Sequence, residues 1–333
     1  MPIRNERAYI ETVVTQVLDQ DYPLDRLEVL IADGESDDGT REWLDALAAS
    51  EERVRVIENP ARIVPPGLNR AIAAARGEVV VRIDGHTEIA PDFLRQSVAV
   101  LAAHPEAWCV GGPIVHRGRG PFGRAAAWAM SSRVGVGGAT HRFAGYEGPG
   151  ESVQFPTFHR WVFDEVGTFD EQLVRNQDDE FAFRLRQAGG TIWISPDIRY
   201  QYFVRERPGQ LWRQYRQYSF WRIPMLRKHR RPTTARQLAP PAFFAVMAGA
   251  ALAGGIRRSP LVALGLPIAY GVTLAAVGVR SRRDLDGAAA ARVPLALATL
   301  HAAYAAGWFQ GGWCLLVRPD AWAPGATMAE LSR

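Results

Sequence analysis

Hydrophobic and polar residues follow two different periods along the first 230 residues of the chain. Apolar residues recur every three to four positions in several segments, which predicts amphipathic helices. Between them lie shorter segments rich in valine and isoleucine, which are typical of buried strands. The pattern predicts strands at 27–32, 53–59, 79–83 and 107–113, and helices at 10–18, 40–49, 65–77, 90–105 and 178–188.

Alternation of strands and helices at this spacing predicts an α/β fold with a mainly parallel sheet that is covered by helices on both faces. In such sheets, ligands bind beyond the carboxyl ends of the strands. Asp33 and Asp84 each follow an apolar strand, so both are candidate binding residues. The chain begins with MPIRNE and no strand precedes the first helix. We therefore expect either a very short first strand or a natural protein that starts further upstream.

The last hundred residues have a different pattern. Three almost uncharged apolar stretches occupy 238–256, 259–279 and 293–317. About 20 such residues cross the hydrocarbon core of a bilayer, so we expect three membrane spans. The first stretch opens with two prolines and is alternatively a re-entrant hairpin arm. A buried helix pair in a soluble protein is the remaining alternative.

Composition adds two points. The chain has two cysteines, Cys109 and Cys314, whose number and spacing favour neither a disulfide framework nor a zinc site. The net charge is only +4, but arginines are concentrated in the segment 205–236, together with tryptophan and tyrosine. This segment suits a helix at an anionic membrane surface, or a site for a diphosphate. Nucleic acid is not an expected partner, because the segment leads directly into the apolar stretches.

Five motifs occur along the chain in this order: RNERAYI, IADGESDDGT, RIDGH, VGTFDE and NQDDEFAFRL. Together they resemble family 2 glycosyltransferases, and most of all the membrane-attached glucosyltransferases of bacterial exopolysaccharide (succinoglycan-type) synthesis. The resemblance covers about residues 2–230. It implies a GT-A fold and the transfer, with inversion, of a sugar from a nucleotide diphosphate donor. The expected organisation is a catalytic domain at 1–204, an interfacial segment at 205–236 and a membrane region at 237–333.

The resemblance also implies residues that bind the nucleotide-sugar. Asp33 corresponds to a carboxylate that accepts a hydrogen bond from a uracil-type base, although an Asp-Gly pair also favours an ordinary turn. Glu6 resembles the other acid on the nucleotide side, although acids are favoured at a helix start in any case. Asp84 is expected beside the diphosphate.

Asp84 and His86 resemble the Asp-x-Asp element of the family, which holds a divalent cation. The cation, Mn²⁺ or Mg²⁺, would offset the charge of the diphosphate leaving group. Histidine in the third position departs from the general pattern, and because imidazole is a softer ligand we expect Mn²⁺ to serve at least as well as Mg²⁺. The alternative for His86 is a hydrogen-bonded loop histidine. Gly85 lets the backbone approach the ligand closely.

Alignment on FAFRL makes Asp178 the expected catalytic base, which removes the proton of the acceptor hydroxyl. Asp179 is an alternative for the same role and is otherwise expected on the acceptor side. Adjacent like charges raise a carboxyl pKa, which makes a stronger base. The alternative for this acidic cluster is simple capping of a helix N-terminus.

Processive family members carry a Gln-x-x-Arg-Trp motif that holds the growing chain. Here Gln217 is followed by YSFW, so the motif is not intact and single-sugar addition is favoured. Gln217, Trp221 and Arg222 are expected on the acceptor or diphosphate side.

These inferences predict an inverting, metal-dependent hexosyltransferase in the cytoplasmic membrane, with its catalytic domain in the cytoplasm. It would move one hexose from a UDP-sugar to a lipid-linked saccharide in exopolysaccharide or cell-surface glycan synthesis. Glucose is the hexose that the resemblance favours. Two alternatives stay open. A sugar nucleotidyltransferase should carry a basic, glycine-rich loop after its first strand, where this chain has RNE. A membrane scaffold with a decayed site is the other.

Overall fold

The computed structural model of the chain describes residues 1–85 and 87–318. Its strands are β1 (Pro2–Ile3), β2 (Val29–Asp33), β3 (Val54–Glu58), β4 (Val79–Val81), β5 (Glu88–Ile89), β6 (Ala107–Gly111), β7 (Val115–Arg117), β8 (Gly148–Pro149), β9 (Thr157–His159), β10 (Thr191–Ile194) and β11 (Tyr200–Phe203). Its helices are α1 (Ile10–Leu18), α2 (Thr40–Ser50), α3 (Val64–Ala74), α4 (Phe93–Ala103), α5 (Gly120–Met130), α6 (Arg133–Val136), α7 (Val162–Val166), α8 (Gln177–Gln187), α9 (Pro208–Phe220), α10 (Arg222–His229), α11 (Ala239–Ile256), α12 (Pro260–Arg280), α13 (Gly287–Ala290) and α14 (Val293–Val317).

The described chain forms two compact units. The first unit contains residues 1–115 and 140–202, and the second contains 116–139 and the chain from 203 to 318. The first unit is close to the predicted catalytic domain 1–204, except that 116–139 belongs to the second unit.

In the first unit, β1, β2 and β3 form a parallel sheet, as the alternating pattern predicts. A second sheet has the order β4-β9-β6-β10-β8, and in it only β6 and β10 are parallel. The prediction of a mainly parallel sheet is therefore wrong for this half. β9 lies between β4 and β6 and is antiparallel to both, a pairing that needs no helical crossover. A further antiparallel pair joins β11 to β5.

Two buried clusters cover the sheets of the first unit. One is built from α1, β2 and α4 and includes Ile10, Ile31 and Phe93. The other is built from α3, α7 and α8 and includes Leu68 and Phe181. The predicted helix 90–105 starts later than expected, at Phe93, because its first residues form a turn in which the Phe93 amide donates to the Ala90 carbonyl.

The second unit is helical. α14 packs against α9 so closely that a Cβ on Gly307 would lie 2.1 Å from the Arg216 carbonyl oxygen. Within the described residues, two helices have the length and apolar composition for a membrane crossing, at 235–256 and 260–283. The third predicted span does form a helix, α14, but one side of it is buried against its neighbours. The number of spans stays a prediction.

Candidate active site

The loop after β1 and the loop after β2 are held together by side-chain hydrogen bonds. The Asn5 amide donates to the Ser36 hydroxyl over 2.9 Å, and the Asn5 side chain donates to Asp37 over 2.8 Å. One residue further on, the Glu6 amide donates to the Thr40 hydroxyl over 3.0 Å. The RNE segment is therefore fixed over the carboxyl end of β2, the edge where ligands bind in sheets of this kind.

Asp33 ends β2 and is buried, with 1% of its surface exposed. Its carboxylate accepts from the Ser36 hydroxyl over 2.6 Å, and Arg41 lies 3.7 Å away. The hydrogen bond from Ser36, three residues later, is typical of an aspartate that forms a turn. Its hydrogen bond to a nucleotide base stays a prediction.

Glu6 lies beside the segment that follows β4. A Cβ built on Gly85 would lie 2.6 Å from Cδ1 of Ile3 and 3.2 Å from Cγ of Glu6. Only glycine fits this space without displacing the side chains of Ile3 and Glu6. Glu6 therefore lies next to Gly85, the residue that follows Asp84, so the two residues predicted on the donor side are neighbours in the fold.

Asp84 and Asp178 meet at one guanidinium, that of Arg82. Arg82 donates from Nε to Asp84 Oδ1 over 3.0 Å and from Nη2 to Oδ2 over 3.2 Å, a bidentate pair. Its Nη1 lies 3.9 Å from Oδ2 of Asp178. The side chain of Arg82 is 8% exposed, whereas that of Asp178 is 35% exposed. The end of β4 and the start of α8 therefore share one charged centre that solvent reaches from the carboxylate side.

The acid on α8 is electrostatically tuned. Burial and the adjacent Asp179 carboxylate raise the pKa of Asp178, while Arg82 acts in the opposite direction. The Asp179 amide donates to Asp178 Oδ1 over 2.9 Å, which orients the carboxylate. A raised pKa makes the ionised Asp178 carboxylate a stronger base.

The third acid of the cluster has a structural role. Glu180 is fully buried and accepts two hydrogen bonds of 3.0 Å from Arg184, one turn later on α8. Arg184 also donates to the carbonyls of Val166 and Thr168, over 2.6 Å each. On the same helix, the Phe181 ring packs against Phe169, with ring centroids 4.7 Å apart. These contacts fix the helix that carries Asp178.

The donor atoms near Asp84 fit a divalent cation that takes most of its ligands from a bound diphosphate. A carboxylate oxygen is the hard ligand that Mg²⁺ and Mn²⁺ prefer. Residues 1–85 and 87–318 contain no cluster of three or more His, Cys, Asp or Glu that could hold a metal with protein ligands alone. His86, the second predicted ligand, lies outside the described residues. The described residues therefore offer Asp84 as a ligand, and a cation would take its other ligands from the predicted His86 and from substrate phosphate oxygens.

The three predicted acceptor-side residues of the second unit differ in burial and in the residues that they contact. Trp221 is fully buried, and its ring lies 6.0 Å from that of Phe220 in an edge-on arrangement. Arg222 begins α10 and contacts the sulfur of Met225 at 3.7 Å. Gln217 is half-buried on α9. Their roles toward an acceptor stay predictions.

Sequence reasoning missed Arg82. The signal was present, since an arginine interrupts the apolar run VVVRI in a strand that should be buried on both faces. A charge at such a position needs a partner, and here it has two.

Comparisons with known proteins identify the family of the chain. Residues 1–166 match Glycosyl transferase family 2. The chain is 32% identical over 317 residues to the succinoglycan biosynthesis protein ExoA of Rhizobium meliloti (strain 1021), with 93% of each chain covered. It is 28% identical over 207 residues to the beta-monoglucosyldiacylglycerol synthase of Synechocystis sp. (strain ATCC 27184 / PCC 6803 / Kazusa), which covers 59% of this chain and 41% of that protein.

Among solved structures, the chain is similar to the mannosyltransferase PcManGT from Pyrobaculum calidifontis in complex with GDP-Man and Mn²⁺. The TM-score is 0.61 at 22% identity, over 94% of this chain and 85% of that one. At this identity the similarity concerns the fold, and with the family match it confirms the predicted GT-A type.

Proposed function

The chain belongs to glycosyltransferase family 2, and we propose that it moves a single hexose from a UDP-sugar to a lipid-linked saccharide. The proposed hexose is glucose. The reaction inverts the anomeric centre. The product belongs to exopolysaccharide or cell-surface glycan synthesis, a proposal supported by the name of the relative from Rhizobium meliloti.

One observation carries this proposal: Arg82 joins Asp84, at the end of β4, to Asp178, at the start of α8. Asp178 accepts the proton of the acceptor hydroxyl while the hydroxyl oxygen forms its bond to the anomeric carbon. The bond from that carbon to the phosphate oxygen breaks, and the nucleoside diphosphate leaves with the electron pair. Attack from the face opposite the leaving group inverts the configuration.

On the donor side, Asp33 and Glu6 would hold the nucleotide, and Asp84 would lie beside the diphosphate. A divalent cation, when bound by Asp84 and His86, supplies positive charge that stabilises the diphosphate as it leaves. Arg82 keeps its own charge, because Asp84 and Asp178 offset the effect of burial on its pKa. Asp179, Gln217, Trp221 and Arg222 would lie toward the acceptor.

Attachment to a membrane is supported by the surface of the second unit. Apolar side chains of α11 and α12 are widely exposed, for example Ile256 at 76% and Leu261 at 82%. Such a surface suits lipid far better than water. With three spans and a cytoplasmic catalytic domain, the loop 280–292 would face the cytoplasm, and its arginines agree with the positive-inside rule.

The membrane arrangement can be tested with single cysteines in a chain whose two native cysteines are replaced by serine. With α11 and α12 crossing the membrane, a cysteine at Arg258 should react with an impermeant maleimide added outside intact cells. A cysteine at Arg283 should react only after the cells are opened. Reaction of both from outside would contradict the proposed topology.

The function is tested by sugar transfer in purified membranes. Wild-type protein receives a panel of radiolabelled nucleotide-sugars and lipid-linked acceptors, with and without chelator. We expect transfer from UDP-glucose that the chelator abolishes. Asp178→Asn should lower the rate by at least about 100-fold, which is the usual contribution of a general base.

Asp164→Asn is the matched control, because Asp164 is an exposed aspartate on α7 of the same unit. It should leave transfer unchanged. Full activity of Asp178→Asn would contradict the mechanism. The absence of transfer from every donor would instead favour the scaffold alternative.

A further inference from the structure

The side chain of Asn69, on α3, binds the backbone of a loop that lies 100 residues later in the chain. Its Nδ2 donates to the Phe169 carbonyl over 2.9 Å, and the Phe169 amide donates to its Oδ1 over 2.9 Å. Nδ2 also donates to Oε1 of Glu171 over 2.9 Å. Both backbone groups of Phe169 are therefore satisfied by one side chain, as a neighbouring strand would satisfy them.

The loop that Asn69 binds is also attached to α8, the helix of the proposed base. The buried Phe169 ring packs on the Phe181 ring, with centroids 4.7 Å apart. Phe181 follows Asp178 by three positions, so their side chains start from neighbouring places on the helix surface. Arg184, on the same helix, donates to two carbonyls of the loop. A shift of the loop is therefore passed to the turn of α8 that carries Asp178.

The helix that carries Asn69 is in turn fixed to the donor side. A Cβ on Gly67 would lie 2.7 Å from Nδ2 of Asn59 and 3.3 Å from Cβ of Ala32, so α3 packs directly on β2. Asp33 follows Ala32 on β2, and its carbonyl accepts from the Asn59 amide over 2.9 Å. α3 therefore has a fixed position relative to Asp33, the residue proposed to hold the nucleotide.

We propose that Asn69 is a positioning residue for sugar transfer. It ties the loop before α8 to the helix that packs on β2, and it thereby sets the place of Asp178 relative to the bound donor. The attacking hydroxyl must approach the anomeric carbon in line with the leaving group, so a displacement of the base by about 1 Å costs a factor of about 100 in rate. The inference rests on the proposed function, in which Asp178 is the base.

The test measures two rates with UDP-glucose in purified membranes. One is transfer to the lipid-linked acceptor, and the other is hydrolysis without acceptor, in which a water oxygen takes the place of the acceptor hydroxyl. Asn69→Ala should lower kcat for transfer at least about tenfold, because the base is displaced from the large, bound acceptor. Hydrolysis and the donor KM should change less than about twofold, since water is small and mobile and the donor-side residues are intact.

Two variants are matched controls. Glu171→Ala removes one bond of Asn69 but leaves both bonds to the Phe169 backbone, so transfer should stay within about twofold of the wild type. Ile72→Val shortens a buried side chain of the same helix and leaves the bonds of Asn69 in place. It should lower the Tm, but the ratio of hydrolysis to transfer should stay that of the wild type.

Unchanged transfer in Asn69→Ala would overturn the inference. So would transfer and hydrolysis that fall by the same factor, because a chain that is merely less stable loses both rates together. The ratio of the two rates thus distinguishes a positioning role from a structural one.

Hydrogen exchange needs no substrate and separates this inference from the proposed function. In the first turn of α8, the Glu180 amide donates to the Asn176 carbonyl over 2.9 Å. Its exchange should be at least about fivefold faster in Asn69→Ala than in Ile72→Val, and equal exchange would overturn the inference. If the wild type transfers no sugar from any donor, the proposed function fails and the role of Asn69 in transfer fails with it. Faster exchange at Glu180 would then still show that Asn69 holds α8 in place.

Discussion

At the scale of single residues, the site depends on one arginine that lies between two carboxylates. Arg82 contacts Asp84 directly and lies 3.9 Å from Asp178, whose neighbour Asp179 adds a further negative charge. Burial of a guanidinium costs free energy unless it is paired, and the two carboxylates offset this cost for Arg82. Arg82 therefore couples the carboxylate of Asp84, on the donor side, electrostatically to the carboxylate of Asp178, the proposed base.

Replacing Arg82 tests this link. Arg82→Gln should lower kcat/KM for transfer at least about tenfold, because two carboxylates lose their common partner. It should also move the acid limb of the pH profile to higher pH, since Arg82 holds the pKa of Asp178 down. Arg95→Gln is the control, as Arg95 forms an exposed pair with Asp21. An unchanged acid limb in Arg82→Gln would contradict the link.

Asp179 should act on the same limb with the opposite sign. Its carboxylate raises the pKa of Asp178, so Asp179→Asn should move the acid limb to lower pH. The sign follows from the role of the base, because activity requires ionised Asp178 and is lost as the pH falls through its pKa. The measurement is kcat/KM from pH 5 to 9, and a limb that moves upward would contradict the assignment of Asp178 as the base.

At the scale of elements, patterns that depend on local sequence predicted the structure well. Amphipathic spacing and proline or glycine signals gave α1, α2 and α3 close to their observed bounds. The position of β9 between β4 and β6 could not be predicted, because its three residues carry no periodic signal and its pairing is set by distant strands. The sequence predicts roles for Asp84 and Asp178, but the contact of both with Arg82 depends on tertiary packing and could not be predicted.

The contact between β1 and the segment after β4 yields another test. Gly85→Ala would place a methyl group 2.6 Å from Ile3 Cδ1 and 3.2 Å from Glu6 Cγ, so these two side chains must move. We expect the donor KM to rise about tenfold or more, with a smaller change in kcat. Gly138→Ala is the control, since its Cβ would meet no atom within 4 Å. A donor KM equal to that of the wild type would show that Glu6 is not held by this contact.

At the scale of the whole molecule, the Met1 amine makes stability depend on pH. Its pKa is about 5 in the folded chain, against 8.0 as the ordinary value, so the unfolded chain binds the extra proton between these pH values. The free energy of unfolding should therefore rise with pH across this window, by about 4 kcal/mol at most. Thermal unfolding at pH 5.5 and pH 8 measures it.

A form of the chain extended before Met1 by Gly-Ser-Gly-Ser provides the comparison, because its amine is moved away from the Leu30 carbonyl. This form should lose most of that pH dependence. If both forms show the same change in Tm between the two pH values, another group causes it.

The bidentate pair of Arg82 and Asp84 has a consequence for the order in which substrates assemble. A free dication that approaches Asp84 must compete with a guanidinium that already occupies both carboxylate oxygens. A nucleotide-sugar changes this balance, because its two phosphates bring their own ligands for the ion and new acceptors for the arginine. Metal and donor should thus arrive as one complex, and Mn²⁺ alone should bind far more weakly than Mn²⁺ in the presence of UDP.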